Sequence, residues 1–164
     1  MSLRIRVHGT PAPQGSKRAF VNRHTGKASV VEMSKRVTPW REAVKAASLT
    51  ALGRPLGVWG EPHEPIAGPV VVYVTFLLAR PKGHYGTGRN ADVLRDSAPK
   101  YPAVKPDLDK LIRSTLDALT EARVWTDDSQ VVRVTAEKRY DPFPGAFIEV
   151  RAVGSRPTDT EGAA

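Results

Sequence analysis

Hydrophobic and polar residues alternate with a period of two in three segments of the chain, at 3–7, 130–140 and 147–153. This period is typical of strands that bury one face, because successive side chains of a strand point to opposite sides of the sheet. Val70–Leu78 is instead a nearly continuous run of β-branched and aromatic residues, which predicts a central strand. A further short strand is predicted at 28–31.

Two other segments favour helices. Apolar residues recur at one-turn spacing over 108–119, which gives this helix one apolar face, and Asp107 stands at its N-cap position. The pair Thr38-Pro39 suits the N-cap and first position of a second helix, which is expected to end near residue 52.

The segments between these elements are rich in glycine and proline. Residues 53–68 are predicted to be a loop, and 80–103, in which glycines lie among basic residues, a long mobile loop. Residues 154–164 are expected to form a flexible tail. The predicted fold is a single α+β domain, residues 1–153, in which two main helices pack on a mixed β-sheet of about five strands.

The composition narrows the class of protein. The 164 residues include no cysteine, which excludes disulfides, thiolate zinc sites and cysteine nucleophiles. No apolar run approaches the roughly 20 residues of a membrane-spanning helix, and the N-terminal segment lacks the apolar core of a signal peptide. We therefore expect a cytoplasmic protein without membrane contact.

The net charge of +8 is concentrated at one end of the chain. Nine of the 25 basic residues but one of the 17 acidic residues lie in 1–41, so the whole basic excess belongs to this segment. Such a focused positive field suits a polyanionic partner, although a generally basic surface kept for solubility remains an alternative.

Two acidic pairs interrupt this basic protein. Asp107 and Asp109 lie at the start of the predicted helix 108–119, where capping and the helix dipole favour acids, and Asp127-Asp128 alone is typical of a turn. If the two pairs meet, their carboxylates require a counter-ion, and Mg²⁺ or Mn²⁺ suits oxygen ligands. A metal held there would activate water and polarise a phosphodiester.

Arg113 follows Asp109 by one helical turn and precedes Asp117 by another. This row is consistent with an exposed ion-pair ladder, and equally with a cation that stabilises negative charge on a phosphate in the transition state. The spacing alone does not separate the two interpretations.

Three motifs together resemble the signature of the RusA family of Holliday junction resolvases, many of which phages and prophages encode. They are Lys105–Leu111, Leu116–Leu119 and Trp125–Val131, and the basic segment Pro13–Arg18 is also similar to a loop of phage-type members. The resemblance implies a homodimeric, Mg²⁺-dependent endonuclease that cuts four-way DNA junctions by paired symmetric nicks, in recombination, repair or phage DNA processing.

The resemblance also assigns residues. Asp107, Asp109 and Asp128 match the catalytic acids and metal ligands of the family, and Arg113 stands where the family commonly has a functional lysine. Arginine keeps the charge but does not donate a proton near neutral pH. Three further residues are supporting candidates: Asp127, Lys105 and Lys110.

Basic residues at seven positions are candidates for phosphate contacts. They are Lys17, Arg18, Arg23, Lys35, Arg36, Lys82 and Arg89. Two other functions remain open: a non-catalytic DNA-binding module in which the acids only cap a helix and shape a turn, and a Mg²⁺-dependent phosphohydrolase that acts on nucleotides.

Overall fold

The computed structural model describes most of the chain. The described residues are 2–15, 17–21, 28–32, 35–53 and 64–154, and for 17–21 and 28–32 only the backbone is described. Its elements in chain order are β1 (Ser2–His8), β2 (Lys17–Val21), β3 (Ala28–Glu32), α1 (Val37–Ala51), β4 (Val70–Leu78), α2 (Leu108–Glu121), β5 (Val131–Tyr140) and β6 (Gly145–Ala152).

A four-stranded mixed sheet with the strand order β1-β6-β4-β5 forms the centre of the fold. Strand β6 runs antiparallel to both β1 and β4, whereas β4 and β5 are parallel. Two parallel neighbours require a crossover, and here α2 provides it. The helix therefore begins near the carboxyl ends of β4 and β5 and ends near their amino ends. Strands β2 and β3 form a separate antiparallel pair.

The alternation of the sequence is reproduced in the burial of the strands. In β1 the apolar residues Leu3, Ile5 and Val7 are buried and the arginines between them face outward. Strand β4 lies between two neighbours, and seven of its nine residues are buried, which explains its almost unbroken apolar run.

The two helices cover one face of the sheet and pack against each other. Trp40 of α1 and Phe76 of β4 are fully buried, with ring centroids 6.4 Å apart. The indole Nε1 of Trp40 donates to the hydroxyl of Thr115 in α2 at 3.1 Å, so the polar edge of a large core side chain has a partner. Burial of these side chains holds α2 in place on the sheet.

The predicted α+β class with two main helices is confirmed, with two differences in detail. The strands number six among the described residues, in sheets of four and two, and β2 was not predicted. Helix α1 begins at Val37, so Thr38 lies inside it and the N-cap position belongs to Arg36. Strand β2 was missed because the alternation of apolar and polar residues around it is too short to predict a strand.

The segment 80–103, predicted to be a long mobile loop, contains short stretches of local structure. Residues 82–84 and 88–90 form 3-10 turns, and Tyr85 pairs with Leu94 in a β-bridge. The Arg95 Nε donates to the carbonyl of Tyr85 at 2.7 Å. Local polar contacts of this kind leave no hydrophobic period in the sequence.

Part of the predicted loop at 53–68 and almost all of the predicted tail at 154–164 lie outside the described residues. In the portion of the chain that is described, neither helix has the length and apolar character needed to span a membrane.

Candidate active site

The first acidic pair lies at the start of α2. Asp107 occupies the N-cap position with extended backbone angles, as predicted, but its side chain caps no backbone N–H. Instead its Oδ2 accepts from the ammonium of Lys110 at 2.9 Å. Asp109 is exposed in the first turn. Both carboxylates are therefore open to solvent near the carboxyl ends of the parallel strands, a common place for ligand sites in sheets with helical crossovers.

The cations around Asp107 keep it ionised. The hydrogen bond and the charge of Lys110 lower the pKa of Asp107, and Lys105 and Lys138 add to the effect. The same contact raises the pKa of Lys110, with a further contribution from Asp109. At neutral pH this end of α2 therefore presents anionic carboxylates amid cationic side chains, which suits binding of a cation together with a phosphate.

Lys138 fixes the segment that precedes Asp107. This residue of β5 donates from its ammonium to the carbonyls of Val104, at 2.7 Å, and Pro106, at 3.0 Å. The Lys105–Pro106 peptide between these acceptors is cis. Sequence reasoning missed Lys138, although a signal was present: the alternation of β5 places it on the helix-covered face, where apolar residues are expected.

A second tether holds the turn that follows β1 against α2. The buried hydroxyl of Ser114 donates to the carbonyl of Ala12 at 2.7 Å, and the backbone N–H of Gln14 donates to the carbonyl of Lys110 at 3.0 Å. The first turn of α2 is therefore fastened to two neighbouring segments, so the carboxylates of Asp107 and Asp109 start from a fixed backbone.

The second acidic pair lies in the turn before β5. Asp127 caps a short 3-10 turn, and its Oδ1 accepts from the backbone N–H of Ser129 at 2.8 Å. Hydrogen bonds from the side chain and then the backbone N–H of Ser129 lower the pKa of Asp127. Gln130 completes a capping box and donates to the carbonyls of Ile66 and Gly68. Asp127 thus has a structural task, whereas Asp128 is exposed on the same turn.

The two acidic pairs lie at opposite ends of α2. The helix has 14 residues. At about 1.5 Å per residue the helix is roughly 20 Å long, with Asp107 directly before its first residue and Asp128 after its last. Among the residues that the structure describes, no three His, Asp or Glu side chains lie close enough together to hold a metal ion. The described residues of a single chain therefore do not bring Asp107, Asp109 and Asp128 together, and their meeting at one metal site stays a prediction.

Arg113 does not join the ion-pair ladder that its spacing allowed. Its side chain is exposed on the second turn of α2. The carboxylate of Asp117, one turn further on, lies 3.6 Å from Arg41 of α1 instead. Within the described residues neither Asp109 nor Asp117 forms an ion pair with Arg113, so the guanidinium is available for another role.

The structure separates the seven predicted phosphate contacts into three groups. Lys17 and Arg18 belong to β2, whose side chains are not described, and Arg23 lies outside the described residues. The exposed side chains of the others lie before α1 or in the 3-10 turns: Lys35, Arg36, Lys82 and Arg89. Among them, Arg36 borders the same cleft as Lys105, Asp107 and Lys110.

Comparison with known proteins identifies the family. The family model described as endodeoxyribonuclease RusA matches residues 9–151, a range that includes both acidic pairs, both helices and most of the sheet. The chain belongs to the RusA family. Family membership implies an endodeoxyribonuclease that resolves Holliday junctions.

The chain is also similar to a protein of Bacillus subtilis (strain 168), "Uncharacterized protein YqaN". The two are 26% identical over 156 residues, which cover 93% of this chain and 98% of that protein. The match to the RusA family and this likeness therefore both extend over nearly the whole chain rather than over an isolated motif.

Proposed function

We propose that this protein is a Mg²⁺-dependent endodeoxyribonuclease that resolves four-way DNA junctions by paired symmetric nicks. The observation that carries the proposal is the first turn of α2, where Asp107 and Asp109 stand beside Lys105 and Lys110 within a chain of the RusA family. Acids that attract a metal and cations that attract a phosphate then lie within one turn of each other. Mn²⁺ is the expected substitute for Mg²⁺.

The active unit in this proposal is a homodimer whose sites are shared. Within one chain the whole of α2, roughly 20 Å long, lies between Asp107 and Asp128. A two-fold axis that crosses α2 near its middle brings the first turn of one protomer to the acidic turn of its partner. Two such sites arise by symmetry, which matches the two opposed strands of a four-way junction.

Each shared site combines residues of both protomers. Asp107 and Asp109 of one protomer and Asp128 of the other provide carboxylate oxygens of the kind that Mg²⁺ prefers. The metal, when bound, supplies an activated water and polarises the scissile phosphodiester. Arg113, one turn from Asp109, is placed to stabilise negative charge on the phosphate oxygens. Asp127 supports the turn through Ser129.

Phosphates along the DNA arms are held by the basic end of the chain in this proposal. Residues 1–41 contain the whole basic excess, and Lys35 and Arg36 are exposed. Lys17, Arg18 and Arg23 lie in the same charged segment, and Lys82 and Arg89 extend it from the loop after β4. Binding should weaken steeply as salt rises, because each phosphate contact releases counter-ions.

The proposed setting is the bacterial cytoplasm, where recombination, repair or phage replication produces branched DNA. The decisive experiment incubates the purified protein with labelled four-way, branched and linear DNA, with and without Mg²⁺. Symmetrically paired nicks in the four-way junction alone, only when the metal is present, are the expected result.

Substitution of the acids separates this function from the alternatives. Asp107→Asn and Asp128→Asn should abolish cleavage and leave junction binding intact. Unchanged cleavage in both variants would refute the assigned acids. Binding without cleavage by the unsubstituted protein would favour a non-catalytic DNA-binding module, and hydrolysis of free nucleotides without junction cleavage would favour a phosphohydrolase.

A further inference from the structure

A cleft of about 570 Å³ opens beside Asp107. Its walls come from three separate parts of the chain: the turn at 10–13, the strand ends at 78–81 and 140, and the segment 102–107 that leads into α2. The volume lies in the range of sites that take small organic ligands. Apart from Asp107 the lining of this cleft offers no carboxylate to a metal, so the cleft calls for a separate explanation.

The walls of the cleft are largely apolar. Proline contributes to all three parts, and a proline has no backbone N–H to offer a ligand. Leu78 and Val104 add aliphatic surface, and Tyr140 provides the aromatic side chain of the lining. These groups suit a flat, weakly polar object better than a charged one.

The rim of the cleft is charged, and its charge is mostly positive. Arg36, Lys105 and Lys110 border the opening, against the single carboxylate of Asp107, which Lys110 already pairs. An occupant that fits both parts carries an apolar ring for the interior and an anionic group for the rim. A nucleotide has this chemistry.

The cleft is preformed. Lys138 holds the 102–107 wall through the carbonyls of Val104 and Pro106, and Ser114 holds the 10–13 wall through Ala12. The guanidinium of Arg80 lies 4.2 Å from the ring centroid of Tyr140, and the ring of His84 meets the same tyrosine edge-on at 5.5 Å. A braced cavity loses little conformational entropy when a ligand enters.

We propose that this cleft receives one unpaired base of the DNA strand that is cut, with the adjoining phosphate at the cationic rim. The proposal rests on the nuclease function proposed above and adds to it a source of selectivity for branched DNA. A base in a duplex must leave its stack to enter, whereas a base at a branch point is already poorly paired. The cleft therefore favours branch points.

The test uses a four-way junction with 2-aminopurine at the crossover, bound in EDTA so that no strand is cut. Emission of 2-aminopurine increases when the base leaves the stack, and the unsubstituted protein should produce this increase. Val104→Trp fills the cleft and should remove the increase and weaken junction binding at least ~10-fold, the scale of one lost base contact. Binding to linear duplex should not change.

Val93→Trp is the matched control. Val93 is as exposed as Val104, 58% against 60%, and does not line the cleft. The Val93→Trp variant should retain both the increase in 2-aminopurine emission and the affinity for the four-way junction. Circular dichroism checks the fold of each variant, and Ala79→Leu is the second cleft-filling substitution if Val104→Trp does not fold.

Two results would overturn the proposal. One is an equal increase in 2-aminopurine emission with the unsubstituted and the cleft-filled protein, because the base would then lie elsewhere. The other is no increase in emission with the unsubstituted protein. Cleavage of the same junction in Mg²⁺ is measured separately. An increase that depends on the cleft, in a protein that cuts no DNA, refutes the nuclease and retains the base site. Junction cleavage without any dependence on the cleft refutes the base site alone.

Discussion

The ammonium of Lys138 lies 3.0 Å from the carbonyl oxygen of Pro106, the residue directly before Asp107. A side chain near the carboxyl end of β5 thereby sets the backbone from which the first proposed metal ligand projects. Lys138 is a positioning residue rather than a catalytic one, because its ammonium is directed to two backbone carbonyls.

Lys138→Ala should therefore lower the single-turnover rate of junction cleavage by about 10- to 100-fold, the scale of a misplacement near 1 Å. Junction affinity in EDTA should change little. Lys138→Arg, which keeps a donor, should restore part of the rate. Arg139→Ala is the control, because Arg139 is exposed and pairs with Glu137 on the other face of β5. An equal loss in both alanine variants would contradict the positioning role.

Mixed dimers test whether the sites are shared. Asp107→Asn and Asp128→Asn should each be inactive alone. In a dimer with one subunit of each kind, a shared-site arrangement restores one intact site and disables the other. When equal amounts of the two variants are unfolded together and refolded, about half of the dimers should be mixed. Each mixed dimer has one intact site of two, so about a quarter of all sites should be intact.

Recovered activity in that mixture should consist of single nicks rather than paired nicks, since each mixed dimer has one working site. Sites contained within one chain would leave every site with one substitution, and the mixture would stay inactive. Mixing Asp107→Asn with Asp109→Asn is the control: both residues come from the same protomer in a shared site, so no activity should return.

Arg113 tests whether the cation on α2 stabilises charge or transfers a proton. Arg113→Gln should reduce the cleavage rate by about 10²- to 10³-fold, the scale for loss of one group that stabilises transition-state charge. Arg113→Lys should stay within about 10-fold of the unsubstituted rate, because the charge is retained. A pH–rate profile with a new ionisation in Arg113→Lys would instead indicate proton transfer.

Glu149 links β6 to β1 through a pH-dependent contact. Hydrogen bonds from Arg151 and Ser2, with the charges of Arg151 and Arg4, lower the pKa of Glu149 from 4.5 to about 2. A lowered carboxylate pKa stabilises the fold above the unfolded value, and this contribution is lost as the pH falls through about 2.

Glu149→Gln should accordingly lower the urea midpoint at pH 7, and the difference from the unsubstituted protein should shrink as the pH falls from about 4.5 towards 2. High salt should reduce the difference at pH 7, because the group is exposed to solvent screening. Glu42→Gln, which removes one exposed pair with Lys45 within α1, is the control and should have the smaller effect. A difference in urea midpoint that stays constant with pH would contradict the lowered pKa of Glu149.

Local periodicity accounts for what was predictable in the fold. The buried run 70–78 and the apolar stripe of 108–119 became β4 and α2, because each pattern reflects one buried surface. Strand β2 and the short turns within the loop 80–103 were not predicted, since neither leaves a sustained hydrophobic period. Asp107 was correctly placed at the N-cap, but its carboxylate pairs with the ammonium of Lys110 and accepts no hydrogen bond from a backbone N–H of the helix.

By itself the sequence determined the class of fold, the motifs that resemble the RusA family and the concentration of charge in 1–41, because these depend on local order and composition. Only the tertiary structure decided the distances. It set Asp107 and Asp128 at opposite ends of α2, because the crossover between two parallel strands must traverse the sheet. It also brought Lys138 to the peptide before Asp107, a contact between residues 32 positions apart that no local pattern encodes.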